Sequence, residues 1–133
     1  MNLKEVTAKD IMSTDITVTR RMEKVTTAEM MMIKKNIGGL PVVSDSDKLI
    51  GILTQRDIQL SRSIIGTEAF HVDDLYSKNP VKATVDEDFP SIINKMNDNN
   101  IERIPIVDGN DHVVGIVVTK DIIKALGDFF QKI

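Results

Sequence analysis

The chain has 133 residues, of which 41% are hydrophobic and 28% charged, with no Cys, two His and a net charge of −3. This is the composition of a soluble globular chain long enough to bury its own core. The lack of Cys excludes disulfides, thiolate chemistry and Cys-based zinc sites, and two His exclude a His-rich metal site. Residues 1–66 carry 10 Lys/Arg against 8 Asp/Glu, residues 67–133 carry 7 against 12, and aromatics are 4%. Nucleic-acid binding by phosphate neutralisation or base stacking is therefore not expected.

The chain begins Met1-Asn2-Leu3-Lys4-Glu5 with no apolar stretch behind it, and the longest apolar run is Val113–Val118. Neither a signal peptide nor a membrane span is predicted, and a cytoplasmic location is the working expectation. The first β-prone run is Ile16–Thr19. A helix follows with Val25, Ala28 and Met32 on its inner face, and Gly38 is expected to end it in the left-handed conformation. Strands Leu40–Val43 and Leu49–Leu53 flank the turn formers Ser44-Asp45-Ser46-Asp47, which predicts a hairpin. A second helix is expected from Asp57.

After a connector, Gly66–His71, the order recurs. Val81–Val85 is β-prone, and Phe89, Ile92, Ile93 and Met96 define one helix face. Strands Ile104–Val107 and Val113–Val118 flank Asp108-Gly109-Asn110-Asp111, and a last helix is expected from Asp121. Shifting the sequence by 64 aligns residues 10–58 with 74–122 without a gap, with 13 of 49 positions identical. Two β-α-β-β-α repeats, residues 1–66 and 67–133, are therefore expected to share one module. A single such unit has a thin core, and pairing two covers both open faces.

Several residues admit a structural and a functional reading. Asp57 and Asp121 stand where helix N-caps are expected. Thr54 is a β-branched residue at a strand end, and Val118 takes its place in the second repeat. Arg56 and Lys120 occupy matching places in a first helical turn, where the helix dipole disfavours cations, so an anion nearby would explain them. Arg20 and Arg21 read as surface charge, and Met30-Met31-Met32 as packing. His112, in a hairpin turn, is expected to be exposed. The last helix carries Ile122, Leu126, Phe129 and Ile133 in one stripe, with Ile123 and Phe130 beside it. That is more apolar surface than one core uses, and self-association would cover it. No Gly-rich phosphate loop, nucleophile elbow or carboxylate cluster occurs, so no catalytic residue and no metal ligand is assigned.

Gly51-Ile52-Leu53-Thr54-Gln55-Arg56-Asp57-Ile58 and Gly115-Ile116-Val117-Val118-Thr119-Lys120-Asp121-Ile122 follow Leu40-Pro41-Val42-Val43 and Ile104-Pro105-Ile106-Val107. With Asp10-Ile11-Met12-Ser13 near the start, this ordered set, present twice, resembles the cystathionine-β-synthase (CBS) domain family over roughly residues 8–125. The resemblance implies an α+β fold of two repeats packed about a pseudo-two-fold axis. It also implies a non-catalytic, regulatory role, with an adenosine-type ligand (AMP, ADP, ATP or S-adenosylmethionine) in clefts between the repeats and no required cofactor. By the same resemblance, Asp57 and Asp121 would accept ribose hydroxyls. Thr54 would donate to ribose or phosphate, and Arg56, Lys120 and Arg103 would meet phosphate. Apolar Ile16, Pro41, Pro80 and Pro105 would lie beside the adenine. Gly39 stands where Arg103 does, so the first repeat lacks that cation. Partners implied are a second copy, through Ile123, Phe129 and Phe130, and an effector protein acted on in trans. The alternative is a homodimerisation scaffold with vestigial clefts.

Overall fold

The computed structural model describes residues 2–65 and 70–132, with the side chains of Ile64 and Ile65 left aside. A 3-10 turn, Leu3–Glu5, precedes α1 (Ala8–Ile11), β1 (Thr19–Arg20), α2 (Val25–Lys35), β2 (Gly39–Val43), β3 (Leu49–Thr54) and α3 (Gln55–Ile65). Then come α4 (Val72–Leu75), β4 (Ser77–Lys78), β5 (Ala83–Thr84), α5 (Phe89–Asp98), β6 (Arg103–Val107), β7 (Val113–Val118) and α6 (Thr119–Gln131). The fold is α+β with two sheets, ordered β1-β2-β3-β4 and β5-β6-β7. In each, a two-residue strand runs parallel to the first arm of an antiparallel hairpin.

The chain forms two compact units, and they do not follow the 66/67 division of the sequence repeats. One is Thr17–Pro80; the other joins Met1–Ile16 to Val81–Ile133. The backbone explains the difference. Ala8 N–H donates to Glu87 O at 2.9 Å, Lys9 N–H to Val85 O at 3.0 Å and Phe89 N–H to Val6 O at 2.8 Å. The matching bonds of the other unit are Val72 N–H to Glu23 O (2.8 Å), Asp73 N–H to Arg21 O (2.9 Å) and Val25 N–H to Phe70 O (3.0 Å). Each repeat's opening segment thus completes the unit built on the other repeat's hairpin.

Glycine is needed where that segment crosses the hairpin. A Cβ on Gly51 would overlap the Tyr76 ring and the Ser77 carbonyl oxygen; on Gly115 it would overlap Met12 Sδ and stand 3.1 Å from Ser13 O. Tyr76 and Met12 are themselves repeat-equivalent. Ser13 pairs with Ile116 in a single bridge, as Ser77 pairs with Ile52 in β4.

Each unit has its own core. Val25, Ala28, Met32, Leu40, Val42, Leu53, Ile58 and Val72 fill one; Ala8, Ala83, Ile92, Met96, Ile104, Ile106 and Val117 fill the other. Of the helix faces read from spacing, Val25, Ala28, Met32, Phe89, Ile92 and Met96 are buried and Ile93 is half-buried. Within the Met run only Met32 is buried, and Met30 is exposed. In the Val81–Ile133 unit a polar network ties α5 to the loop before it. Lys95 Nζ lies 2.7 Å from Glu87, which also accepts from the Ser91 hydroxyl. Burial pushes the Glu87 carboxyl up, but Lys95, Ser91 and a backbone bond at Thr84 outweigh it and hold the group below its ordinary value.

Four local expectations are corrected. The left-handed residue closing α2 is Asn36 (φ 53°), matched by Asn100 (φ 51°) after α5, and not Gly38. Asn tolerates this region because its short amide bonds locally. The β-prone runs Ile16–Thr19 and Val81–Val85 pair only through Thr19–Arg20 and Ala83–Thr84. The helices expected from Asp57 and Asp121 begin two residues earlier, at Gln55 and Thr119. His112 is half-buried, with its N–H on Asp108 at 3.0 Å. Most of the Gly66–His71 connector, and Ile133 of the apolar stripe, lie outside the described residues.

Candidate ligand half-sites

The hairpin register places the two informative motifs side by side in each unit. Gly39 pairs with Thr54 and Pro41 with Ile52; Arg103 pairs with Val118 and Pro105 with Ile116. The junction is closed by equivalent bonds, Gln55 N–H to Gly38 O at 2.9 Å and Thr119 N–H to Glu102 O at 3.0 Å. Thus Gly38–Pro41 with Thr54–Asp57 forms one half-site, and Glu102–Pro105 with Val118–Asp121 the other. Proline offers no ladder N–H, and β1 and β5 pair only with residues beyond Pro41 and Pro105. The start of each hairpin strand is therefore left uncovered on that side by its parallel partner.

Asp57 and Asp121 are third helical residues, not N-caps. Asp57 Oδ2 accepts from Thr54 N–H at 2.9 Å while Thr54 Oγ1 accepts from Asp57 N–H at 3.1 Å, a reciprocal capping box. Asp121 Oδ2 accepts from Val118 N–H at 2.9 Å, but valine has no oxygen to return the bond. Asp10 and Asp74 cap α1 and α4 in the same way, from Thr7 and His71 N–H. Capping is therefore a habit of this chain and explains one carboxylate oxygen at each site. The second oxygen, Oδ1 of Asp57 and of Asp121, has no hydrogen bond among the described residues. A carboxylate can cap with one oxygen and accept a ligand hydroxyl with the other.

The remaining residues fall in three sets. Arg56 and Lys120 are exposed in the first turns of α3 and α6 and make no ion pair among the described residues. Arg103 has a side chain 19% accessible, held only at 3.8 Å by Glu102, which is 81% accessible. An exposed carboxylate at that distance adds little, so the guanidinium remains available. Pro41 and Pro105 are buried, and Ile16 and Pro80, half-buried, each end a stretch of one unit. Thr119 Oγ1 donates to Glu102 O at 3.2 Å, so it does not replace the hydroxyl lost at Val118.

A cavity of about 470 Å3 lies elsewhere in the second unit, between Leu3, Val6 and Ile11 and the Ala125–Phe129 stretch of α6, with none of the half-site residues in its lining. Phe129, one of the three residues expected at a dimer interface, lines it, whereas Ile123 and Phe130 face outward and are 64% and 61% exposed. No cluster of metal-ligating side chains occurs among the described residues, and no helix is long and apolar enough to cross a membrane. The position that sequence reasoning missed is the motif glycine. Gly51 and Gly115 make room for Tyr76 and Met12, and their spacing carries no sign of which segment would lie there.

This repeated strand–helix junction, on hairpins completed by exchanged opening segments, defines a tandem α+β module of two equivalent units. The CBS domain profile matches residues 8–61 and 72–128, and the chain belongs to the CBS domain family, as a pair of repeats. It is 38% identical over 96 residues to an inosine-5'-monophosphate dehydrogenase of Thermoplasma acidophilum, covering 72% of this chain and 19% of that protein. It is 32% identical over 126 residues to a homoserine O-acetyltransferase of Methanosalsum zhilinae, covering 95% of this chain and 25% of that one. The chain thus spans about a fifth to a quarter of these curated relatives. The crystal structure of the CBS domain pair of protein MJ0100, in complex with 5'-methylthioadenosine and S-adenosyl-L-methionine, superposes with a TM-score of 0.83 at 31% identity. That match covers 92% of this chain and 97% of the other.

Proposed function

We propose that this chain is a non-catalytic regulatory module that binds an adenosine-containing ligand and passes its state, as a homodimer, to an effector protein in trans. The observation that carries the reading is the free Oδ1 of Asp57 and Asp121 at two equivalent strand–helix junctions. The adenosine compounds held by the MJ0100 pair, similar over nearly its whole length, support it. Asp57 and Asp121 would accept ribose hydroxyls, Thr54 would add a donor in one half-site, and Arg103, Lys120 and Arg56 would face any phosphate. Ile16, Pro41, Pro80 and Pro105 would contact the base. We propose no required cofactor and a cytoplasmic location.

A thermal-shift panel of S-adenosylmethionine, 5'-methylthioadenosine, AMP, ADP and ATP tests this. A ligand at 100 times its Kd adds about 2.7 kcal/mol, which for a chain of this size raises Tm by about 8–14 °C. Asp57→Asn retains a carbonyl acceptor for Thr54 N–H, so the apo protein should melt close to wild type. Losing a charge-assisted bond to ribose should weaken binding roughly 10- to 150-fold and shrink the shift. A lowered apo Tm with an intact shift would make Asp57 a cap and nothing more. No response to any compound would favour the scaffold reading, which the lack of side chains at Gly38 and Gly39 and the lost hydroxyl at Val118 support.

A further inference from the structure

The cavity of about 470 Å3 between the chain's opening segment and α6 takes no part in the half-sites. Its size falls within the roughly 300–1,000 Å3 of small-molecule sites. Leu3, Val6, Ile11, Ala125 and Phe129 form its apolar lining. With them stand three carboxylates, Glu5, Asp10 and Asp128, against one cation, Lys132. None of these four makes an ion pair among the described residues. Asp10 uses Oδ2 to cap α1 from Thr7, and its Oδ1 has no hydrogen bond among the described residues. Asp128 stands in the last turn of α6, where the helix dipole disfavours an anion. Nothing in the fold explains an acid at that place, and a bound cation would.

The repeat does not require this arrangement. By the shift of 64, Val6 corresponds to Phe70 and Ala125 to Ser61, while Glu5 and Asp128 correspond to Ala69 and Ile64. Phe70 packs against the core of its own unit, and Ser61 is buried. The smaller apolar residues and the added carboxylates thus occur together, on the Val81–Ile133 unit. We propose that the cavity is a second binding site, for a small organic ammonium ion with an apolar body. The body packs on Leu3, Val6, Ile11 and Phe129, and the ammonium head faces Asp10 Oδ1 and Asp128. The Phe129 ring adds attraction for the same charge. An anion would meet three carboxylates and one lysine, and a neutral apolar molecule would leave the carboxylates unused. The site is independent of the adenosine reading, because no half-site residue lines the cavity.

Three probes test this: 4-phenylbutylammonium, 4-phenylbutanol and 4-phenylbutyrate share one apolar body and differ in charge at pH 7. Titration calorimetry against the full chain should show saturable binding of the ammonium at one site per chain. The alcohol should bind roughly tenfold or more weakly, as loss of a charge-assisted hydrogen bond gives, and the carboxylate should not bind. Val6→Phe fills the cavity with the residue the other repeat carries, and Ala125→Met fills it from α6. Each should weaken the ammonium roughly tenfold or more. Thermal melts report whether each variant folds, and Ala125→Met, at a half-buried position, decides if Val6→Phe does not. Asp128→Asn should weaken the ammonium and leave the alcohol unchanged. AMP should not displace the ammonium, whatever AMP itself binds. Unsaturable binding, equal affinity for the alcohol, undiminished binding in a folded cavity-filling variant, or displacement by AMP would each overturn the site.

Discussion

The two repeats carry the same backbone and different chemistry at the same place. Around Thr54 and Asp57 the capping box is complete, and β2 is entered through Gly38 and begins at Gly39. Around Val118 and Asp121 the box has lost its hydroxyl, but Arg103 stands where the first repeat has Gly39. Beyond the matched Arg56 and Lys120, one half-site has a neutral donor and no cation at the strand start; the other has that cation and no such donor. The two junctions thus present different groups at equivalent positions.

The largest expected effect tests the exchange of opening segments that makes the units equivalent. Gly51→Ala would drive a Cβ into the Tyr76 ring and a backbone carbonyl, neither of which can yield cheaply. Gly115→Ala meets chiefly the flexible end of Met12. Overpacking costs about 1–3 kcal/mol, occasionally more, so the Gly51 change should fall at or above the top of that range and the Gly115 change near its bottom. Urea unfolding of the two variants measures the difference. Equal losses would mean that Tyr76 repacks as readily as Met12, and the equivalence would then be closer than the contacts imply.

A smaller effect separates the half-sites by ligand class. Arg103→Ala should weaken AMP or ATP by roughly 10-fold or more, since hydrogen bonds to charged groups contribute about 1.5–3 kcal/mol. It should leave 5'-methylthioadenosine, which has no phosphate, unchanged. Thr54→Val should weaken both classes by a few-fold in the other half-site, as loss of a neutral hydrogen bond of about 0.5–1.5 kcal/mol requires. Titration calorimetry on wild type should show one dominant site per chain. Two equal sites, or a loss of methylthioadenosine binding in Arg103→Ala, would show that the halves do not divide the work by charge.

Much of this comparison is legible in the sequence, because it rests on periodicity and turn chemistry. The shift of 64, the hairpins and the inner faces of α2 and α5 follow from local patterns of apolar, Asp and Gly residues. What cannot be read is anything carried by distant contacts. Residues 6–13 look like the start of the first repeat, yet Lys9, Ala8 and Ser13 bond to Val85, Glu87 and Ile116. Main-chain bonds leave no side-chain signature. The pattern marks Asp57 and Asp121 as capping residues but misplaces them by three positions. An Asp can cap from before the first turn or from within it, and composition does not distinguish the two. Asn36 is hidden behind Gly38, since glycine is the commoner left-handed residue and the two candidates lie close together.

The smallest expected effect lies in the core, where the repeats differ by one hydroxyl. Thr19 in β1 is 2% exposed, and its Oγ1 has no hydrogen-bond partner, alone among the buried side-chain polar atoms of the described residues. The equivalent residue, Ala83 in β5, has the same register against its hairpin and no polar atom to satisfy. A buried hydroxyl without a partner costs about 1–3 kcal/mol, whereas replacing it by a methyl of the same shape removes that cost and opens no cavity. Thr19→Val should therefore stabilise the chain by about 1 kcal/mol, seen as a rise in Tm of roughly 3–5 °C. Thr19→Ala matches Ala83 chemically but deletes a methyl as well, so it should gain less or nothing. If Thr19→Val instead lowers Tm, the hydroxyl is bonded in solution. The first repeat would then hold a polar core contact that the second has dispensed with, and the two cores would differ in kind as the half-sites do.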